Sequence, residues 1–332
     1  MLNRLIAAVL CMVIWSPSVL AGGGPERTRT LTYDATKREW VELPPPPRGT
    51  AEGDLHAIRV RIREGKYRRA LWATKKYVKV YGKDDPLYPS AVIARAEALI
   101  GRRKYDKAHD VLQSFLDEFG GMGLTSEALR LEFIVAEAYL TGVKRKILGM
   151  RLLSGEDVAL GILDEISTDY AEYKLAELAI KTKADYLFKK GEHALAELEY
   201  ARMLKEYPQS RYHQFALRRT ADAALASHAG VDYDEAALIE AEERYREYRL
   251  RYRRVADREA IGVILAGIHE QRAQKEYATG EYYERTEHLA SAVFYYQSVR
   301  DRFPDTVAAT KAGTRLDLLG GLEPVVSTAG PG

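Results

Sequence analysis

Gly191-Glu-His-Ala-Leu-Ala196-Glu-Leu-Glu-Tyr-Ala-Arg-Met-Leu-Lys-Glu-Tyr207-Pro-Gln-Ser210 decides the fold, because its pattern of small, aromatic and helix-stopping residues recurs along the chain. A small residue at 196 is followed eleven positions later by an aromatic, and Pro208 comes next. The same spacing returns as Ala70/Tyr81, Ala108/Phe119, Ala159/Tyr170, Ala237/Tyr248 and Ala292/Phe303. Gly65 opens Gly-Lys-Tyr-Arg-Arg-Ala70 as Gly191 opens the quoted stretch, and Pro304 in Phe303-Pro-Asp-Thr306 repeats the stop. A small residue lets two antiparallel helices approach closely, and an aromatic about three turns on closes the far end of the second helix. Proline cannot continue that helix, and the Ser or Thr after it can accept a backbone N–H as the N-cap of the next. A unit of this size buries too little surface alone, so successive units must stack.

Helix-period runs precede the anchors and contain no proline: Ser90 to Ile100, Ser126 to Leu140, Leu175 to Phe188, Tyr212 to Ala226 and Ile261 to Tyr283. Strand signals are almost absent beyond residue 43. The expected fold is therefore all-α, a helical-hairpin solenoid of about six repeats over 51–318, with insertions between some units and a disordered tail at 319–332.

Outward from the repeats, the N-terminal segment reads as an address. Met1-Leu-Asn-Arg4 is a positive start, Leu5 to Trp15 is apolar, and Ser16-Pro-Ser-Val-Leu-Ala21 ends on small residues, as in a secretory signal peptide. The apolar run is too short to cross a bilayer as a helix, which needs about 20 residues. Cys11 follows Leu10 inside that run, a position unsuited to lipid attachment. Residues 22–50 read as an extended arm and Pro-rich linker: Tyr33 and Trp40 flank a polar turn, giving a small hairpin or an extended arm, and Pro44 to Pro47 form a polyproline II spacer.

Composition removes several function classes. Of 332 residues, 50 are basic and 48 acidic, a formal charge of +2, which argues against a dedicated nucleic-acid binder, whose affinity would rest on a cationic surplus. A single Cys excludes a disulfide scaffold or a Cys-rich metal module. Seven His residues are scattered without His-Glu-x-x-His spacing, and no phosphate loop, nucleophile elbow or dinucleotide fingerprint occurs. Gly120-Gly-Met-Gly123 precedes a helix, but no strand leads into it, so it reads as an inter-repeat turn. No catalytic residue, cofactor or metal is expected.

The anchor spacing resembles the tetratricopeptide family, with Ala96, Ala184 and Gly280 where its first helix also carries a small residue. That resemblance covers 51–318. More narrowly, Tyr207-Pro-Gln-Ser-Arg-Tyr-His-Gln-Phe-Ala216, Glu281-Tyr-Tyr-Glu-Arg285, Ala292 and Phe303-Pro-Asp-Thr306 look like the BamD (YfiO-like) outer-membrane assembly factors. Two departures stand out: that family is usually lipid-anchored through an N-terminal Cys, and Gly142-Val-Lys-Arg-Lys-Ile-Leu-Gly-Met150 lengthens the third hairpin.

The resemblance implies a non-catalytic periplasmic scaffold at the inner face of the outer membrane. It would bind the outer-membrane assembly machinery and peptide segments of β-barrel proteins, with no nucleic acid and no transmembrane span in the mature chain. The alternative is a periplasmic repeat adaptor of the Tol–Pal/peptidoglycan (YbgF/CpoB-like) type.

Two surfaces stand out as binding candidates. Arg244-Tyr-Arg-Glu-Tyr-Arg-Leu-Arg-Tyr-Arg-Arg254 interleaves six Arg with three Tyr. Helical spacing puts Tyr245, Tyr248 and Tyr252 on one face, as core aromatics beneath a solvated Arg face open to protein or anionic-lipid contact. In tetratricopeptide arrays the first helix of each pair lines the concave surface. Projected onto the first two units, that rule gives a protein-binding groove of Arg59, Ile62, Arg63, Ile93, Glu97 and Ile100, suited to an extended peptide with an aromatic and a carboxylate.

Overall fold

A computed structural model describes residues 31–34, 39–42, 45–121, 123–147, 150–227 and 235–320. The expected signal peptide, 1–21, and all of the expected tail after residue 320 lie outside the described residues. The chain divides into two compact units, residues 1–159 and 160–332.

In the first unit, β1 (Leu31–Asp34) pairs antiparallel with β2 (Glu39–Glu42), Tyr33 opposite Trp40, so the arm takes its hairpin form. Pro47, which ends the proline tract, is fastened to the first helix, α1 (Ala51–Arg63). Thr50 Oγ1 accepts from Gly53 N at 3.1 Å and donates to Pro47 O at 2.8 Å. Gly53 is required there, since a Cβ would stand 1.9 Å from the Pro47 carbonyl oxygen.

Then follow α2 (Tyr67–Tyr81), α3 (Tyr88–Gly101), α4 (Tyr105–Phe119) and α5 (Thr125–Leu140). Each helix packs on the next, while α1 also meets α3 and α3 meets α5. This is the arrangement of stacked hairpins, in which first helices lie side by side. Leu55, Ile58 and Ile62 of α1 meet Ala70 and Tyr77 of α2 and Ala91, Ala94 and Ala98 of α3 in one core.

The segment that lengthens the third hairpin forms β3 (Arg145–Ile147) and β4 (Met150–Leu153), antiparallel strands that the sequence did not announce. They are too short and too basic for an alternating pattern to show. Arg145 secures them, its Nε donating to Asp106 Oδ1 at 2.8 Å beside the Tyr139 hydroxyl, which donates to the same oxygen at 2.9 Å.

Helix α6 (Glu156–Thr168) carries the division between units. The second unit continues with α7 (Leu175–Lys190), α8 (His193–Glu206), α9 (His213–Ser227), α10 (Ala236–Arg251), α11 (Arg253–Arg258), α12 (Ile261–Arg285), α13 (Leu289–Arg302) and α14 (Val307–Leu318). Here α7 to α10 pack in succession, α10 meets α12, and α13 and α14 both pack on α12. The fold is all-α and tetratricopeptide-like. Among the described residues, no helix is long and apolar enough to cross a membrane.

The anchors lie on second helices as expected: Ala70, Ala108, Ala159, Ala196 and Ala292 are wholly buried. The fifth is corrected by one turn. Ala237 is only half-buried, whereas Ala241 is fully buried with Tyr252 eleven positions later. The run Ala-Ala-Leu-Ile-Glu-Ala offers small residues one helical turn apart, and spacing alone cannot choose between them.

Once in phase, the second unit shows a recurring bond. Tyr200, Tyr245 and Tyr296 each follow a buried alanine by four residues and donate to a carboxylate of the preceding first helix. The acceptors are Asp185 at 2.5 Å, Asp222 at 2.7 Å and Glu284 at 2.7 Å. Burial, then the acceptor carboxylate, pushes all three phenols well above their ordinary range.

Small residues on first helices close the same gap. Ala96 and Ala184 are fully buried, and a Cβ on Gly280 would stand 2.7 Å from Tyr296 Cε1. Thr306 caps α14 as expected, accepting from Ala309 N at 3.1 Å. Ser210 instead holds the turn, taking Tyr212 N at 3.0 Å before α9 begins.

Candidate functional site

On the first unit, Arg59 and Arg63 are exposed on α1, and Glu97 and Ile100 are half-buried on α3. Ile62 and Ile93 do not line this face: they are 5% and 2% exposed and belong to the core. Ile62 continues the buried α1 stripe of Leu55 and Ile58, and α3, flanked by helices on both sides, buries most of its apolar positions, Ile93 included. What remains of the foreseen groove is a mainly charged face, with Ile100 its apolar member.

Burial and the neighbouring Glu127 carboxylate push the Glu97 carboxyl above its ordinary value, while Arg130, Arg59 and Arg63 pull it back. Glu127 and Arg130, on α5, thus join the residues foreseen from sequence. They escaped that reading because the β3–β4 insertion alters the distance from α5 to the next anchor, so a projection by constant spacing stops at the second hairpin.

On the second unit the Arg/Tyr stretch splits into two faces. Tyr245 and Tyr248 are buried, and Tyr252 is half-buried, against α9. Tyr248 donates to Glu259 Oε2 at 3.1 Å, and the Tyr252 hydroxyl meets His213 Nδ1 at 3.0 Å. The opposite face lines a cleft of about 640 Å³. Arg246 and Arg249 of α10 and Arg253 of α11 form one wall with Leu250, and Leu265, Ala266 and His269 of α12 form the other.

Glu242, at the base of the cleft and 3% exposed, is ion-paired to both Arg246 and Arg272. Arg249 and Arg253 have no acidic partner at ion-pair distance among the described residues. The tyrosines are core, as expected, and their arginine neighbours line a concavity that sequence did not reveal. No periodicity could show it, since its second wall lies on α12, across the intervening α11.

A carboxylate pair lies elsewhere on this unit. Burial, then the charge of Glu240 on α10, pushes Glu197 of α8 up to about 7. Three histidines serve packing or a local bond. His109 pairs with Glu132 at 2.9 Å, and the rings of His193 and His269 stand edge-on to Phe188 and Phe303. Among the described residues no group of three His, Cys, Asp or Glu could hold a metal ion. The chemistry these surfaces offer is recognition of charged and apolar groups.

No protein-family model matches the chain, and no curated protein matches it. Among solved structures it is similar to PilW, a widely conserved type IV pilus biogenesis factor, at 16% identity over 80% of this chain and 99% of that one, with a TM-score of 0.32. It is also similar to the TPR2AB domain of yeast Sti1 in complex with a pHSP90, at 14% identity over 81% and 96% of the two chains, with a TM-score of 0.26.

Proposed function

We propose that this protein is an exported, non-catalytic tetratricopeptide-like scaffold of outer-membrane β-barrel assembly, BamD-like in role and sited at the inner face of the outer membrane. The observation that carries the reading is the joint presence of stacked hairpins and the motif Phe303-Pro-Asp-Thr306, whose threonine caps the following helix. In this reading the α1–α3–α5 face receives peptide segments of barrel proteins through Arg59, Arg63, Glu97 and Ile100. The second unit contacts assembly partners. The sequence Tyr207-Pro-Gln-Ser210 is shared with the Tol–Pal/peptidoglycan adaptor type and supports that as the second reading.

Crosslinking in the native envelope, followed by identification of captured proteins, separates the two. Recovery of assembly-machine subunits, with lower barrel-protein levels on depletion, is the expected result. Recovery of Tol–Pal or peptidoglycan components instead, with barrel proteins at normal levels, replaces the first reading by the second.

A further inference from the structure

We infer that the cleft between α10 and α12 is a docking site for an extended peptide in which acidic and large apolar residues alternate. This rests on the scaffold reading and assigns one site the class of its partner.

The first argument is charge. Of the three arginines on the α10–α11 wall, Arg246 is matched by Glu242, whose other partner is Arg272, so the local carboxylate is already engaged. Arg249 and Arg253 remain as exposed cations at the mouth. Guanidinium groups bind carboxylates through paired N–H donors, which makes an acidic side chain their natural complement.

The second argument is shape. Leu250, with 84% of its surface exposed, and the half-buried Leu265 place apolar surface beside those cations. A concavity of about 640 Å³ takes a few side chains. An extended chain sends successive side chains to opposite sides. Alternating acidic and apolar residues therefore present carboxylates to the arginine wall and apolar groups to Leu265 and Ala266. A bilayer surface fits less well, because Arg246, Arg249, Arg253, Leu265 and His269 line a recess rather than a plane, although Leu250 is exposed beside them. His269 leans on Phe303 at 4.9 Å, which fixes the α12 wall against the buried Phe303.

The test uses the full chain and a fluorescein-labelled peptide Asp-Leu-Asp-Phe-Asp-Leu, with binding read by anisotropy. Saturable binding is expected, weakened as salt rises from about 50 to about 500 mM because screening shortens the reach of the arginines. Arg249→Glu/Arg253→Glu should raise Kd about tenfold or more. Ala266→Trp, which fills the cleft without changing charge, should lose binding while circular dichroism and melting temperature stay unchanged.

Several results overturn the inference: no saturable binding, equal binding of Asp-Ser-Asp-Ser-Asp-Ser, or variants that bind as the parent does. So does capture of the protein by phosphatidylglycerol vesicles that the peptide cannot displace, which would make the surface a membrane contact. The probe is synthetic, so its failure leaves the envelope-crosslinking result intact, and failure of crosslinking leaves the cleft standing.

Discussion

On the α1–α3–α5 face of the first unit, cations and carboxylates interleave, with Glu97 and Glu127 set among Arg59, Arg63 and Arg130. In the cleft of the second unit the carboxylate lies at the base, already paired, and the cations stand at the mouth. The first face presents a nearly neutral mosaic. The second presents an uncompensated positive recess with apolar walls, which attracts from a distance and then sorts by size. Near-zero net charge over the whole chain therefore conceals two different local charge arrangements.

The sharpest way to break this comparison is to attack the helix that forms the arginine wall. Ala241→Phe should destabilise the protein by on the order of 1–3 kcal/mol, because it forces volume into a filled contact. Ala237→Phe, one turn away and half-buried, should change stability by less than about 0.5 kcal/mol. Equal costs in urea unfolding would show that the fifth hairpin is out of phase.

Tyr245→Phe comes next, at about 1 kcal/mol, since it removes the donor to Asp222. The matching position of the first unit is Thr74, whose hydroxyl returns to Leu71 O of its own helix, so Thr74→Val should cost less. A smaller loss for Tyr245→Phe would dissolve the contrast.

Glu197→Gln tests the carboxylate pair. Its folded value, about 7, lies above the ordinary 4.5, so the folded protein holds that proton more tightly than the unfolded chain. The associated stability is complete below about pH 4.5 and is lost as pH rises through about 7. The glutamine variant should therefore melt higher than the parent at pH 8, by on the order of 1 kcal/mol or less after solvent screening, and match it at pH 4.5. A constant difference across that range would contradict the assignment.

The smallest stability effect belongs to Arg59→Glu/Arg63→Glu, within about 0.5 kcal/mol for exposed positions. The same change should weaken capture of barrel-protein segments and push Glu97 further upward. Unaltered capture would remove this face from the proposed function.

The architecture was legible in sequence because it repeats. Buried alanines and ring-bearing residues must recur wherever two helices touch, and Ala70, Ala108, Ala196 and Ala292 are read from spacing alone. Reading failed where repetition was broken or ambiguous. The β3–β4 insertion hid Glu127 and Arg130, and twin alanines shifted the fifth anchor to Ala237. The surfaces were harder still. Ile62 and Ile93 follow the same helical period as the exposed positions beside them, and only the presence of a neighbour decides which way they face. The cleft needed α12, which lies across another helix from its arginines.

The hydroxyls of Tyr200, Tyr245 and Tyr296, each held by a carboxylate, give the protein a built-in optical reporter. Their phenols resist deprotonation while folded, so the stability they contribute is intact below about pH 10 and drains away above it. In strong base the ionisation of these rings, and of Tyr77 and Tyr139 in the first unit, which burial and a carboxylate partner raise likewise, should accompany the loss of helical signal rather than precede it.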